Sequence, residues 1–313
     1  MISIAIPTRN SSSFIRETLA EVETFAKSLD QNLEIVLLDD ASSDDTLQKL
    51  IQFAMSCNSH QLSVRIFQNF MSLGQQRNSL VALKQTQGGI IFLMEDDMRN
   101  IEGVLCAFLN HRRNERIDVL IGLSKKKSQR RLSSALFWMI LKVFTNNRIP
   151  KREVLLRRFT REALDSLLAS VRPDWTVTEN CTLLLQNRSY IENLEFFYVE
   201  SASRHSFWNR LQLAVGILLR FVQPKPLSVF LLSFLSGITG LSVMLLSSYG
   251  MTNSDMLLVT VVGIVSVVSV SLLALSIYGI LMSIHDQNIG LPTPRLVFSY
   301  QGTGFAPSLK TKD

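Results

Sequence analysis

Two clusters of acidic side chains have the composition and spacing to bind a charged ligand. The first runs from Asp39 to Thr46 and reads DDASSDDT, and the second is the triplet Glu95–Asp96–Asp97. Because three neighbouring acids repel one another, a divalent cation bound at the triplet would compensate their charge. Oxygen ligands favour Mg²⁺ or Mn²⁺, which would bridge a diphosphate and offset charge on a leaving nucleoside diphosphate.

The first cluster has two interpretations. It opens a predicted helix, so its aspartates and serines could simply cap that helix. Asp39 and Asp40, however, precede the cap and exceed what capping needs. These two carboxylates could instead accept hydrogen bonds from a nucleotide base or from ribose hydroxyls.

Strand-like and helix-like segments alternate through the first hundred residues and position both clusters. The predicted strands are Ile2–Ile6, Glu34–Leu38, Val64–Phe67 and Ile90–Met94, and the predicted helices are Ser13–Leu29, Asp44–Ala54 and Gln75–Lys84. This alternation predicts an α/β fold, a Rossmann-like and mostly parallel sheet with helices on both faces. Ligands bind such sheets beyond the carboxyl ends of the strands. Both acidic clusters follow strand ends.

The C-terminal third has a different composition. Leu227–Ser248 and Met256–Ile284 carry no charged residue, and each exceeds the ~20 residues that cross the hydrocarbon core of a bilayer. Basic residues flank this pair of segments, whereas the short loop between them has none, which places both flanks in the cytoplasm. A buried helical hairpin in a soluble protein is the alternative. Ser206–Val222 has the pattern of an amphipathic helix at a membrane interface.

We therefore expect four regions in an integral protein of the inner, or cytoplasmic, membrane. They are a soluble α/β domain (1–200), an amphipathic juxtamembrane helix (201–226), a region of two transmembrane helices (227–284) and a cytoplasmic C-terminal tail (285–313). The N-terminal MISIAIPT lacks the basic region of a signal peptide, so the domain and both termini are expected in the cytoplasm.

Charge and cysteine usage exclude some classes of function. The net charge is +6, but the basic residues concentrate ahead of the apolar region, which suits anionic lipid or phosphate. No zinc finger or basic stripe interleaved with aromatic residues supports binding to nucleic acid. The basic run Lys125–Arg131 could be a solvated face or a loop that binds phosphate or the membrane surface. The three cysteines have no paired spacing, so neither a disulfide framework nor a cysteine metal site is indicated.

Several segments resemble consecutive motifs of glycosyltransferase family 2, which has the GT-A fold. They are IAIPTRN at residue 4, VLLDDASSDDT, QNFMSLGQQRNSLVAL with three extra residues before Gly74, and MEDDMRN. Further along, VLLRRFTREALDSL and SRHSFWNRLQLAVGILLRFVQPKPL resemble the polyprenyl-phosphate glycosyltransferases, which include dolichol-phosphate mannosyltransferase and the bactoprenol glucosyltransferases. The resemblance extends from residue 2 to about residue 297.

The resemblance implies roles for particular residues. It implies nucleotide-sugar contacts for Pro7, Thr8, Arg9, Asn10, Asp39, Asp40, Gly74 and Asp96, metal ligation by Glu95 and Asp97, and catalytic roles for Asp97 and Arg157. Arg157 corresponds to an acceptor-side arginine, and we add Arg130 and Arg131 as candidates for the acceptor phosphate, because guanidinium groups bind phosphate in a bidentate manner.

The sequence also departs from the family's pattern. Glu95 replaces an aspartate, Arg99 stands where a glutamine is typical, and the usual Gly-Asp-Phe-Arg has become Val154–Leu155–Leu156–Arg157. Tyr198 and Ser201 replace an arginine and a glycine near the membrane entry.

The expected activity is metal-dependent, inverting transfer of a sugar from a UDP- or GDP-linked donor to polyprenyl (undecaprenyl) phosphate at the cytoplasmic membrane face. The cofactor would be Mg²⁺ or Mn²⁺, and the resemblance alone suggests a homo-oligomer. Two alternatives remain open. The chain could be a family 2 transferase that builds a surface polysaccharide, or a catalytically silent membrane subunit that binds nucleotide sugars.

Overall fold

The computed structural model describes residues 1–57, 59–111, 117–124, 153–171, 177–185, 187–194, 197–198 and 291–302, together with four isolated residues, Gly237, Gly240, Gly263 and Ile277. Both predicted spans and the amphipathic helix lie outside these ranges, as do Arg130 and Arg131. Within them, no helix has the length and apolar character that crossing a bilayer requires.

The described part contains ten strands and six helices. The strands are β1 (Ile2–Thr8), β2 (Leu33–Asp39), β3 (Leu62–Gln68), β4 (Ile90–Leu93), β5 (Met98–Arg99), β6 (Val119–Ser124), β7 (Glu153–Thr160), β8 (Arg188–Leu194), β9 (Phe197–Tyr198) and β10 (Arg295–Gln301). The helices are α1 (Ile15–Lys27), α2 (Thr46–Ser56), α3 (Gln75–Lys84), α4 (Ile101–Asn110), α5 (Arg161–Ser170) and α6 (Val177–Leu184).

Eight of these strands form one mixed sheet in the order β10-β3-β2-β1-β4-β7-β6-β8, and β5 pairs with β9 separately. The strands β3, β2, β1 and β4 are parallel, whereas β10 and β7 run antiparallel to their neighbours β3 and β4. Every residue of β1 and β2 is buried, and both strands are mostly apolar, as expected of strands that are covered on both faces. The predicted α/β fold is confirmed.

Helices cover both faces of the sheet. On one face, α1 contributes Ile15, Leu19, Val22 and Phe25, spaced three or four residues apart, to an apolar cluster with β1 and β2. On the other face, α3 packs on the opposite side chains of the same strands, and α5 joins this second apolar cluster through its contacts with β7 and α3. Each such buried side chain contributes about 1.5–3 kcal/mol, so the two layers hold the central strands and their carboxyl ends in place.

The chain after residue 291 also contributes to this sheet. Where we expected a C-terminal tail, Arg295–Gln301 forms the antiparallel edge strand β10, in which Leu296 lies opposite Phe67 and Tyr300 opposite Val64. The compact unit that holds all the described strands therefore takes in residues 289–313 as well as residues 1–131 and 148–204. A second unit comprises residues 132–147 and 205–288, of which only the four isolated residues are described.

Candidate functional site

The carboxyl ends of the central parallel strands meet at one edge of the sheet. Strand β1 has β2 on one side and β4 on the other, and Thr8 at the end of β1 lies directly opposite Asp39 at the end of β2. This is a topological switch point, where open α/β sheets form their ligand crevice. Three segments chosen from the sequence, 7–10, 39–40 and 95–97, lie at or just after the ends of β1, β2 and β4 at this edge.

The segment after β1 is tied to the segment after β2. Pro7 and Thr8 are buried in the strand, whereas Arg9 and Asn10 are exposed. Asn10 has a left-handed backbone (φ +50°), which asparagine tolerates better than most residues. Its N–H donates to Ser42 Oγ at 2.9 Å, and its Oδ1 accepts from the N–H of Ser43 at 2.9 Å. These bonds hold Asn10 at the mouth of the crevice.

Asp40 organises the loop that joins β3 to α3. Its carboxylate is 1% exposed. One oxygen accepts from Asn69 Nδ2 at 2.8 Å and from the N–H of Leu73 at 2.7 Å, and the other accepts from Ser72 Oγ at 2.8 Å and from the N–H of Gly74 at 2.9 Å. A carboxylate offers about four acceptor positions. Asp40 therefore anchors the loop that contains the extra residues before Gly74.

Asp39 is also fully buried, but it makes different contacts. It accepts hydrogen bonds from the N–H of Ser42 at 3.1 Å, from the Ser42 hydroxyl, and from Gln68 Nε2 at 3.2 Å. The exposed side chain of Arg9 lies beside the pair, with a guanidinium nitrogen 4.0 Å from Asp40. Gln68 and Arg9 thus lie against the two buried carboxylates, Gln68 on Asp39 and Arg9 beside Asp40.

Capping accounts for Asp44 but not for Asp39 or Asp40. The Asp44 carboxylate accepts from the N–H of Thr46 at 3.0 Å and from the N–H of Ser12 at 3.1 Å. Burial alone would raise the pKa of Asp44, but the hydrogen bonds from Thr46 and Ser12 outweigh it and lower that pKa. Asp44 thus supports the start of α2, which leaves the two earlier aspartates to organise the crevice.

The triplet Glu95–Asp97 is accessible, unlike the buried pair. All three residues are half-buried. Glu95 Oε1 accepts from Gln75 Nε2 at 3.0 Å, and the Asp96 carboxylate accepts from the Ser11 hydroxyl. Asp96 is therefore held towards the segment after β1, between the two outer acids.

A metal ion fits this donor set when a ligand completes its coordination. In the part of the chain that is described, no group of three or more His, Cys, Asp or Glu residues could hold a metal ion unaided. Mg²⁺ is usually bound by one or two carboxylates together with substrate phosphates and water. Glu95 and Asp97 offer two carboxylates at an accessible edge, which is the number of protein ligands that such a Mg²⁺ site needs.

Arg157 lies at the same edge but inside the core. In β7 it pairs with Leu93 of β4, two residues before Glu95. The side chain is 1% exposed, and its Nη2 donates to Thr178 Oγ1 at 2.7 Å. The structure thus places Arg157 beside the last residue of β4, with its side chain buried and bonded to Thr178. The other two candidate phosphate ligands, Arg130 and Arg131, fall outside the described residues.

Two residues that we did not select from the sequence support the crevice. Asn78 is 1% exposed on α3, and its Nδ2 donates to the carbonyl oxygen of Leu38 at 3.2 Å. Its Oδ1 accepts from Asn69 at 2.9 Å, and Asn69 in turn binds Asp40. The available signal was the position of Asn78 beside the apolar run SLVAL, where an asparagine side chain needs a buried partner.

Comparison with known proteins finds a matching family profile and similar solved structures. A family profile described as "Glycosyl transferase family 2" matches residues 3–175, which is more than half of the 313 residues. A solved structure of TarS 1–349 from S. aureus in complex with UDP-GlcNAc is similar, with 17% identity over 70% of this chain and a TM-score of 0.45. The match spans 66% of that TarS chain, just under two thirds of its length.

A second similar structure is glucosyl-3-phosphoglycerate synthase from Mycobacterium tuberculosis, in complex with Mn²⁺, UDP and glucosyl-3-phosphoglycerate. It is 16% identical over 71% of this chain and 79% of that chain, with a TM-score of 0.49. The family assignment rests on the profile match rather than on these two structures.

Proposed function

Because the chain belongs to glycosyl transferase family 2, we propose that it transfers a sugar from a nucleotide-sugar donor to a polyprenyl phosphate at the cytoplasmic membrane face. The observation that carries this proposal is the accessible triplet Glu95–Asp97 at the end of β4, at the edge where β1 and β2 also end. The donor would be UDP- or GDP-linked, and the cation Mg²⁺ or Mn²⁺.

Glu95 and Asp97 are the proposed metal ligands, with Glu95 binding directly or through water. When bound, the cation would offset charge on the leaving nucleoside diphosphate. The bond between Ser11 and Asp96 supports this division, because it engages the middle carboxylate at the segment after β1. Asp96, held beside the segment after β1, is then placed towards the sugar nucleotide.

Arg9, Asn10 and the loop that ends at Gly74 are the proposed surface for the base and ribose. Arg9 and Asn10 are exposed at the crevice. The buried Asp39 and Asp40 accept hydrogen bonds from the segment after β2 and from the loop before Gly74, respectively. A direct hydrogen bond between the nucleotide and either aspartate would require the side chain of Gln68 or Arg9 to move aside. The buried Pro7 and Thr8 fix the end of β1.

A phosphate acceptor simplifies the chemistry. Its oxygen is already anionic, so catalysis needs positioning and charge compensation rather than a strong general base. Attack on the side opposite the leaving diphosphate would invert the anomeric centre. Arg157, Arg130 and Arg131 are the proposed phosphate contacts, and Arg157 would reach the phosphate by exchanging its bond to Thr178.

The sheet supports a membrane anchor with an even number of crossings. Strand β8 before the predicted spans and strand β10 after them both belong to the same sheet. Residues 194 and 295 must therefore lie on the same side of any membrane that the intervening segment crosses. Two spans, with the domain and both termini in the cytoplasm, satisfy this requirement.

The proposal is tested by incubating membranes that contain the full chain with radiolabelled UDP- and GDP-sugars, with and without undecaprenyl phosphate. We expect one donor to yield a labelled lipid only when the acceptor is added. A labelled polymer would favour the surface-polysaccharide alternative instead. Nucleotide-sugar binding without any product would favour the catalytically silent subunit.

A further inference from the structure

The proposed activity assigns no role to Arg99. It lies in β5, two residues after Asp97, at the position where the sequence departs from the glutamine that is typical of its relatives. Although arginine is usually exposed, the Arg99 side chain is only 16% exposed. Something in this fold therefore holds the guanidinium in place.

The partners of Arg99 lie on α1 and just before it. Its Nη2 donates to the Glu17 carboxylate at 2.7 Å and to the carbonyl oxygen of Phe14 at 3.4 Å. Its Nη1 donates to Thr18 Oγ1 at 2.6 Å, and its Nε lies 3.9 Å from the carboxylate of Glu21. The planar fork of a guanidinium can serve these partners together, which a lysine or a glutamine cannot.

The bond to Thr18 determines where the Thr18 hydroxyl proton goes. A guanidinium can only donate, so Thr18 Oγ1 must accept from Arg99 and point its single proton elsewhere. The carbonyl oxygen of Asp96 lies 2.6 Å from Thr18 Oγ1, whereas that of Phe14 is 3.5 Å away. Thr18 is fully buried. The proton is therefore donated to the backbone of Asp96, in the middle of the acidic triplet.

Glu21 holds the other end of the same segment. One of its carboxylate oxygens accepts from the N–H of Ile101 at 3.0 Å, and the other faces Arg99. The backbone between residues 96 and 101 is thus fixed to α1 at both ends, with Arg99 between the two attachments. Because α1 is packed into the apolar core, it is a rigid support.

We propose that Arg99 is a positioning residue that acts through Thr18 to hold Glu95 and Asp97 in the conformation that binds the metal–diphosphate group. This inference rests on the proposed function. Groups that orient metal ligands typically contribute 10- to 100-fold to metal affinity or activity. The effect of Arg99 should therefore appear in metal-dependent nucleotide binding before any sugar is transferred.

The test uses the full chain in detergent and measures the binding of UDP and GDP by calorimetry over a Mn²⁺ titration. In Arg99→Gln, we expect the Mn²⁺ concentration for half-maximal nucleotide binding to rise about 10-fold. Thr18→Val should shift it in the same direction, whereas Thr18→Ser, which keeps the hydroxyl, should restore it. Glu23→Gln is the matched control, because Glu23 pairs with Lys27 on the same helix at 3.0 Å and should leave the midpoint unchanged.

Hydrogen exchange of the backbone amides of residues 95–98 gives a readout that needs no ligand. Exchange should accelerate in Arg99→Gln and Thr18→Val but not in Thr18→Ser or Glu23→Gln. The inference is overturned if Arg99→Gln keeps both the wild-type Mn²⁺ midpoint and the wild-type exchange, or if Thr18→Ser behaves as Thr18→Val does. If the wild-type chain binds neither nucleotide with Mn²⁺, the proposed function fails. Hydrogen exchange then tests the positioning role by itself, and unchanged exchange in Arg99→Gln would overturn it.

Discussion

At the residue scale, the acidic side chains of the crevice differ in accessibility and in partners. Asp39 and Asp40 are buried beneath the surface, and Asp40 uses its carboxylate on the loop before α3. Glu95 and Asp97 are half-buried and can meet a ligand. The first pair therefore holds the segments around the crevice, while the second pair is the one that we propose meets the ligand.

The role of Asp40 predicts a loss of stability on mutation. In Asp40→Asn, the amide group cannot accept hydrogen bonds from all four donors, so buried donors lose their partner. We expect the free energy of unfolding to fall by about 3 kcal/mol, as measured by denaturant titration of the full chain. Asp45→Asn, at an exposed position, is the control. A loss below about 0.5 kcal/mol, the range of neutral surface substitutions, would show that Asp40 does not anchor the loop.

The sequence located the site better than it described the contacts within it. Both acidic clusters were predicted at strand ends, because apolar runs followed by acids are a local pattern. The burial of Asp40 was not predictable, since its partners are 29 to 34 residues away in the chain. The network of Arg99 was missed for the same reason, because Thr18 lies 81 residues away.

At the element scale, the parallel half of the sheet follows from sequence patterns and the antiparallel part does not. The helix predicted at Gln75–Lys84 is observed with the same bounds. Three of the four predicted strands are slightly longer than predicted, and the fourth, β4, ends at Leu93, one residue earlier than predicted. Strands β7 and β10 were not predicted. Their sequences are basic or only partly apolar, and β10 pairs with β3 across more than two hundred residues.

The docking of β10 predicts that Gly302 tolerates no side chain. A methyl group at Gly302 would overlap the backbone oxygens of Ser59 and His60, so Gly302→Ala should lower the free energy of unfolding by about 1–3 kcal/mol. Hydrogen exchange of Arg295–Gln301 should also accelerate. Gly89→Ala is the control, because a methyl group there meets no atom within 4 Å. Equal stability of the two variants would contradict the observed edge strand.

The start of α2 predicts a pH-dependent contribution from Asp44. Its hydrogen bonds lower its pKa below the ordinary 3.8 despite the opposing effect of burial. Its stabilisation is therefore present above that value and is lost as pH falls through the lower folded-state pKa. Asp44→Ala should cost about 1 kcal/mol at pH 7, and the difference from wild type should shrink below pH ~4.

Asp45 provides the comparison for Asp44. It directly precedes α2 but makes no capping hydrogen bond, so Asp45→Ala should change the free energy of unfolding little. Unfolding midpoints of the three proteins between pH 7 and pH 3 would check this. A constant difference between Asp44→Ala and wild type over that range would argue against the assigned hydrogen bonds.

At the scale of the whole molecule, one sheet contains strands that precede the predicted membrane region in the chain and a strand, β10, that follows it. This arrangement requires β8 and β10 to lie in the same compartment, which agrees with the distribution of flanking basic residues.

The predicted topology is tested by cysteine labelling. We expect Asn253→Cys, in the loop between the predicted spans, to react with a membrane-impermeant maleimide in intact cells. Ser308→Cys, after β10, should react only once the membrane is permeabilised. Labelling of both sites, or of neither, in intact cells would contradict two spans with cytoplasmic termini.

The central claim is that the carboxylates after β4 bind the metal that supports sugar transfer. It is tested most directly by comparing transfer of labelled sugar to undecaprenyl phosphate in membranes that contain the wild-type chain or Asp97→Ala at equal levels. We predict that Asp97→Ala, although normally inserted, loses at least ~100-fold in transfer, as does the wild type when divalent cations are chelated. Near-normal transfer by Asp97→Ala, sustained with the metal chelated, would contradict the account.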